Sequence, residues 1–145
     1  MSRFAYSLFC DDVRHEINGK TSQIGIYQGS MYLDKFPAHL PKLCIIISAA
    51  THIENPFKEI TFKAYRDVNL LFQFQLTKEQ IDEAVAVSPG ADDGIFRIVQ
   101  TMGILSPIAF DKPCKIRIEV EADGEIIECP GLRVTNAPEG VKITK

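Results

Sequence analysis

Ile116-Arg117-Ile118-Glu119-Val120-Glu121-Ala122-Asp123-Gly124-Glu125-Ile126-Ile127-Glu128-Cys129 decides the fold class of this chain. Apolar and charged residues alternate up to Asp123-Gly124, a dipeptide that suits a type I′ turn because both central positions of that turn need positive φ. Counting away from the turn puts Ala122 opposite Glu125, Val120 opposite Ile127 and Ile118 opposite Cys129. These apolar residues then share one side, while Glu119 and Glu128 share the other. The same count leaves Cys114 four residues from Ile118, or about 13 Å along the strand, so a Cys114–Cys129 disulfide is out of reach.

The period-two signature recurs through the chain. Leu70, Phe72, Phe74 and Leu76 alternate with polar residues, as do Ile60, Phe62 and Ala64; Phe4, Tyr6, Leu8 and Cys10 mark a further strand and predict its core-facing side. Leu43-Cys44-Ile45-Ile46-Ile47 is apolar at both parities, which predicts a central, covered strand. One short helix is legible over residues 78–87. Thr77 and Gln80 make a capping box before it, Ile81, Ala84 and Val85 share a face, and Pro89-Gly90 ends it. Glu79, Asp82, Glu83, Asp92 and Asp93 make its flank an acidic solvated surface. About eight strands separated by proline-marked turns predict an all-β, antiparallel two-sheet β-sandwich, immunoglobulin-like or C2-like, with one short α-helix. Residues 1–145 form one domain on this reading, long enough to bury roughly 68–70% of the unfolded surface.

Sixteen basic against nineteen acidic residues give a net charge of −3, which supplies no footprint for tracking nucleic-acid phosphates. The longest apolar run, Leu43 to Ala50, is far shorter than the roughly 20 residues of a membrane helix. The N-terminus has no apolar signal-peptide region, so the expected location is the cytoplasm. Cys10, Cys44, Cys114 and Cys129 contain no C-x-x-C pair and read as free cysteines rather than zinc ligands. No cofactor signature is present.

Unexplained polar chemistry concentrates in Phe9-Cys10-Asp11-Asp12-Val13-Arg14-His15-Glu16-Ile17-Asn18-Gly19-Lys20. Asn18-Gly19 read as a two-residue turn pairs Ile17 with Lys20, Val13 with Ile24 and Asp11 with Ile26. That register conflicts with a core face on Phe4 to Cys10, so a β-bulge at Asp11-Asp12 is expected, locked by Arg14 or by the bulge amides. Without a bulge, Asp11 must point into the core beside Ile26. Gly19-Lys20-Thr21 is not a phosphate loop, because Arg14 stands where such a loop needs glycine. Cys10 and His15 lie about 16 Å apart on an extended strand and make a thiolate pair only if the chain folds back.

This stretch, followed by Gly25-Ile26-Tyr27 and with Leu40-Pro41-Lys42-Leu43 downstream, resembles a family of uncharacterised bacterial and phage proteins with the pattern C-D-D-x-R-x-E-x-x-G-K and then G-x-Y. The resemblance implies a bacterial or phage sandwich protein and no mechanism. With no catalytic set legible, the expected function is a non-enzymatic module that binds a protein partner, a second copy of the chain being one option, through Asp11, Asp12, Arg14, His15, Glu16 and Lys20. Two alternatives are a metal-assisted hydrolase using Asp11, Asp12, Glu16 and His15, and a module sequestering a charged metabolite with Arg14 and Lys20, which needs an apolar pocket beside them. Tyr27, Tyr32, Phe36 and Phe57 read as core-edge packing or as an apolar contact patch.

Overall fold

A computed structural model describes residues 3–87 and 94–141. The order is β1 (Phe4–His15), a one-turn 3₁₀ helix (Ile17–Gly19), β2 (Thr21–Ile26), β3 (Ser30–Leu33), β4 (Ala38–Leu40), β5 (Leu43–His52), β6 (Glu59–Arg66), β7 (Asn69–Thr77), α1 (Lys78–Val87), β8 (Phe96–Leu105), β9 (Ile108–Phe110), β10 (Cys114–Ala122) and β11 (Glu125–Asn136). Two sheets result, β2-β1-β5-β8 and β3-β11-β10-β6-β7, with β4 and β9 pairing separately. All ladders are antiparallel except β3 against β11. The chain is an all-β sandwich with one helix, as its alternation predicts.

The β10–β11 hairpin has the counted register, Ala122 with Glu125, Val120 with Ile127 and Ile118 with Cys129. Asp123 and Gly124 take φ of 51° and 82°, the positive values a type I′ turn requires. Beyond Ile118 the register shifts by one residue, and Cys114 pairs with Val134. Gly131 sits at that shift: a Cβ there would lie 2.4 Å from the Ile116 carbonyl oxygen, so only glycine lets the two backbones approach.

The core lies between the sheets. Phe9, Ile45, Ile47, Ala49 and Val99 of one face Ile60, Phe62, Ala64, Ile116, Val120, Leu132 and Val134 of the other, all buried. Each fully buried aliphatic or aromatic side chain contributes about 1.5–3 kcal/mol. Gly103 of β8 keeps the sandwich closed at one edge, because a Cβ there would meet the Phe72 ring at 2.5 Å. Helix α1 is capped as read: the Thr77 amide donates to Gln80 Oε1 at 2.9 Å and the Gln80 amide to Thr77 Oγ1 at 3.3 Å. Ile81 plugs the core, whereas Ala84 is exposed. The Val85 side chain, Pro89-Gly90, Asp92 and Asp93 lie outside the described residues.

Two sequence expectations are corrected. The inner face of β1 is carried by Ala5 and Phe9, not by Phe4, Tyr6, Leu8 and Cys10. Pairing settles the parity: Phe9 lies opposite Ile45 and Ala5 opposite Ala49, both core residues. The β1–β2 connection has three residues rather than two, with Asn18 and Gly19 at φ of 65° and 73° and the Glu16 amide donating to the Lys20 carbonyl at 2.8 Å. The extra residue moves the register by one, to Cys10 with Ile26, Asp12 with Ile24 and Val13 with Gln23. Pairing passes from Cys10 to Asp12 without a shift, so there is no bulge at Asp11-Asp12.

The hairpin turn also anchors the start of the chain. Arg3 pairs with Asp123 at 3.0 Å, donates to Thr51 Oγ1 and the Asn55 carbonyl and lies over the Phe57 ring. Burial pushes the Asp123 carboxyl up, but the Glu59 and Lys58 amides and the Arg3 guanidinium outweigh it and hold the group below its usual range. A depressed folded value stabilises the fold above the unfolded value of about 3.9, and that contribution disappears as pH falls through the folded value. Urea titrations between neutral pH and pH 2 should therefore show Asp123→Asn less stable than the native chain at neutral pH, with the difference shrinking in acid. A constant difference across that range contradicts the assignment.

Candidate functional site

The residues of the N-terminal motif do not converge on one point. The adjacent Asp11 and Asp12 are engaged by different partners, Tyr27 and Lys42. Asp11 lies against Gly25 of β2, where a Cβ would meet its Oδ2 at 2.2 Å, and Gly25 has φ of +70°. The Tyr27 hydroxyl donates to Asp11 Oδ1. Burial, and then the Asp11 carboxylate, raise the Tyr27 hydroxyl's pKa, so it remains a donor. Asp11, Gly25 and Tyr27 thus form one unit that fixes the end of the β1–β2 ribbon. The partner of Asp11 is Tyr27, not Arg14, and Asp11 is exposed rather than set into the core.

Asp12 pairs with Lys42 at 2.9 Å and accepts the Val13 amide at 2.9 Å. The Lys42 ammonium, and then the Val13 amide, hold the Asp12 carboxyl below the usual range, and Asp12 in turn raises Lys42. Arg14 pairs with Glu16, which also accepts from Ser22 Oγ at 3.2 Å. His15 and Lys20 are exposed at the β1–β2 connection. Among the described residues no three of His, Cys, Asp and Glu are grouped to hold a metal ion. The β1 strand runs unbroken through Cys10 and His15, which keeps them about 16 Å apart.

Strand parity brings a different set of residues together. The outer face of β2-β1-β5-β8 carries Ile24 and Ile26 of β2, Phe4, Tyr6, Leu8 and Cys10 of β1, Cys44, Ile46, Ser48 and Ala50 of β5, and Phe96, Ile98, Gln100, Met102 and Ile104 of β8. Cys10, Cys44 and Ile46 are buried among Leu8, Val13 and Met102. Around them Phe4, Tyr6, Ile24, Ile26 and Ile104 are 44–56% exposed. Phe96 stacks edge-on against Phe4, with ring centroids 5.7 Å apart. Two polar side chains of this surface bond each other, Gln100 donating to Ser48 Oγ at 2.9 Å.

Cys10 and Cys44 are directly paired across β1 and β5. Burial, then the neighbouring Cys44 and Asp11, push the Cys10 thiol up to about 11. Burial raises Cys44 as well. Both stay neutral at physiological pH and behave as apolar residues. Tyr27 and Phe36 are half-buried and Phe57 is buried, so these three are core-edge packing; Tyr32 is 36% exposed. A hollow of about 240 Å³, lined by Lys115, Arg117, Glu119, Ile126, Glu128 and Cys129, opens on the other sheet. It is charged and does not adjoin Arg14 or Lys20.

Alternation alone puts Phe4, Tyr6, Leu8 and Cys10 inward, which hides the outer face. The available signal was the apolar content of both parities in β1 and β5, together with Ile98, Met102 and Ile104 in β8.

Residues 5–135 match a family described as a family of unknown function (DUF6941), and the chain belongs to that family. The matched span includes the N-terminal motif and strands of both sheets. No curated protein and no solved structure matches the chain.

The Asp11-Gly25-Tyr27 unit and the Asp12–Lys42 pair make opposite demands on stability. Gly25→Ala, which adds a clash and strains a left-handed residue, should cost about 2 kcal/mol. Tyr27→Phe should cost about 1 kcal/mol. Asp12→Ala removes a solvent-exposed pair and should leave the urea midpoint nearly unchanged. Equilibrium unfolding of the three variants checks this ranking, and a silent Gly25→Ala contradicts it.

Proposed function

We propose that this chain is a non-enzymatic binding module that recognises a protein partner through the outer face of β2-β1-β5-β8. The observation that supports this reading is the continuous apolar surface from Ile24 and Ile26 across Phe4, Tyr6 and Leu8 to Met102 and Ile104. Antiparallel sheets normally turn one polar face to water. This sheet is apolar on both sides, and a large exposed apolar patch marks an interaction site.

The chemistry fits an interface better than a reaction centre. Ser48 and Gln100, in the interior of the face, bond each other, which lowers the cost of dehydrating them. Asp12 with Lys42 and Arg14 with Glu16, further along β1, supply the polar rim of such a surface, with His15 and Lys20 beyond them. The carboxylates a hydrolase would need are instead engaged separately, Asp11 by Tyr27, Asp12 by Lys42 and Glu16 by Arg14. A bacterial or phage origin follows from the resemblance of the N-terminal motif, and cytoplasmic residence suits four free thiols.

Cross-linking mass spectrometry of the chain in its own cells tests the reading. Intermolecular links from Lys42, beside the face, should exceed those from Lys58 and Lys115, and should fall at least severalfold when Tyr6 and Ile104 are both changed to Asp. Equal linking from all three lysines, or linking unaffected by the double substitution, contradicts it.

A further inference from the structure

The two sheets differ in what they turn outward. On β10 the outward positions are Lys115, Arg117, Glu119 and Glu121, opposite the inward Ile116, Ile118, Val120 and Ala122. On the other sheet Phe4, Tyr6, Leu8 and Cys10 of β1, Cys44, Ile46, Ser48 and Ala50 of β5, and Ile98, Gln100, Met102 and Ile104 of β8 are uncharged outward positions, and charge enters at the end of β1, where Asp12, opposite Ile24, and Arg14 are paired with Lys42 and Glu16. The nearest ionised groups along β1 are Asp12 and Lys42, which neutralise each other. A chain with 24% charged residues therefore confines the charge of this face to ion pairs at one end, while β10 alternates charge along its whole outward side.

We infer that the occupant of this face is a second copy of the chain, held in a twofold, sheet-on-sheet dimer. This rests on the binding-face reading above and names its partner. Charge is the first argument. A surface with no free ionised group offers nothing to steer or select a charged partner; what complements it is an equally uncharged, flat, apolar face, and the chain itself carries one. In a twofold contact the same patch is used by both subunits. Identical faces repel when they carry like charges, and here they do not.

Area is the second argument. Side chains of this size present on the order of 150–200 Å² each. The half-exposed Phe4, Tyr6, Ile24, Ile26 and Ile104, with contributions from the half-buried Leu8, Phe96, Ile98 and Met102, leave roughly 600 Å² of apolar surface in water. That is at the upper end of the largest patch on ordinary monomers, about 300–600 Å². With the intervening polar atoms it approaches the 800 Å² or so that one subunit contributes to a standard interface.

Shape is the third. Sheets stack face to face about 10 Å apart with strands inclined by about 30°. Along β5 this face mixes small and branched side chains, Cys44, Ile46, Ser48 and Ala50, all buried, beside Phe4, Tyr6 and Leu8 of β1. Mixed small and large side chains of this kind interdigitate when two sheets stack.

Sedimentation velocity and native mass spectrometry of the purified full chain, from about 1 to 100 µM, test the inference. The native chain should form a twofold species whose melting temperature rises with protein concentration. Tyr6→Asp and Ile104→Asp, each at a half-exposed position, should weaken dimerisation at least tenfold while far-UV circular dichroism stays unchanged. Ile126→Asp, an exposed apolar position on the other sheet, should leave the dimer intact. If Tyr6→Asp does not fold, Ile104→Asp and the concentration dependence of melting carry the test. A native chain that remains a monomer at 100 µM overturns the second-copy inference alone, leaving the binding face to the cross-linking comparison. A dimer that survives both face substitutions overturns the inference and the binding face together.

Discussion

Strand β5 is apolar on both faces, and the rest of the architecture answers that constraint. Every residue from Leu43 to Thr51 is buried, at the centre of a sheet with β1 on one side and β8 on the other. Leu43, Ile45, Ile47 and Ala49 are covered by the second sheet, which supplies Ile60, Phe62, Ile116 and Val120. Cys44, Ile46, Ser48 and Ala50 face the other way, and among the described residues Cys44 and Ile46 pack against Leu8, Cys10, Val13 and Met102. A strand of this type normally belongs to a sheet with both faces packed. The outer face is therefore the unfinished half of the same hydrophobic problem that builds the core.

The N-terminal motif is tied to this problem through position. Asp12 and Lys42 close the upper end of β1 and β5, next to the Cys10–Cys44 pair. Asp11, Gly25 and Tyr27 hold β2 against β1, which places Ile24 and Ile26 in line with the apolar rows of β1. Asp11, Asp12, Gly25, Tyr27 and Lys42 thus set the geometry of the sheet edge. Gly25 shows this most directly: the left-handed backbone and the missing Cβ leave room for a carboxylate that no other residue type would admit.

Legibility in the sequence followed the range of the interactions. The β10–β11 hairpin, the capping box of α1 and the buried run of β5 depend on residues a few positions apart, and their periods and turn chemistry specify them. The β1–β2 register is ambiguous because Asn18-Gly19 satisfies a two-residue turn as well as the last part of a three-residue one, and a single residue reverses every face. The parity of β1 is ambiguous because both its faces are apolar; only pairing with β5, about forty residues away, resolves it. The partner of Asp12 is thirty residues distant, and the parallel β3–β11 pairing joins Ser30–Leu33 to Arg133–Asn136, far apart in sequence. No local pattern encodes either.

The two buried cysteines at the middle of the outer face show why this surface suits contact more than chemistry. A thiol that is to react must be a thiolate, stabilised by nearby positive charge or a helix N-terminus. Cys10 has neither: burial and the neighbouring Cys44 and Asp11 raise it to about 11, and its Sγ donates to the Asp12 carbonyl at 3.5 Å. Cys44 donates to the Asp11 carbonyl at 4.0 Å. Both groups are small, neutral and polarizable, and they lie level with the sheet where a branched side chain would project. Neutral thiols can be covered by another apolar surface without burying an unpaired charge. The same placement that makes the pair poor nucleophiles makes it a flat, dehydratable floor for a contact.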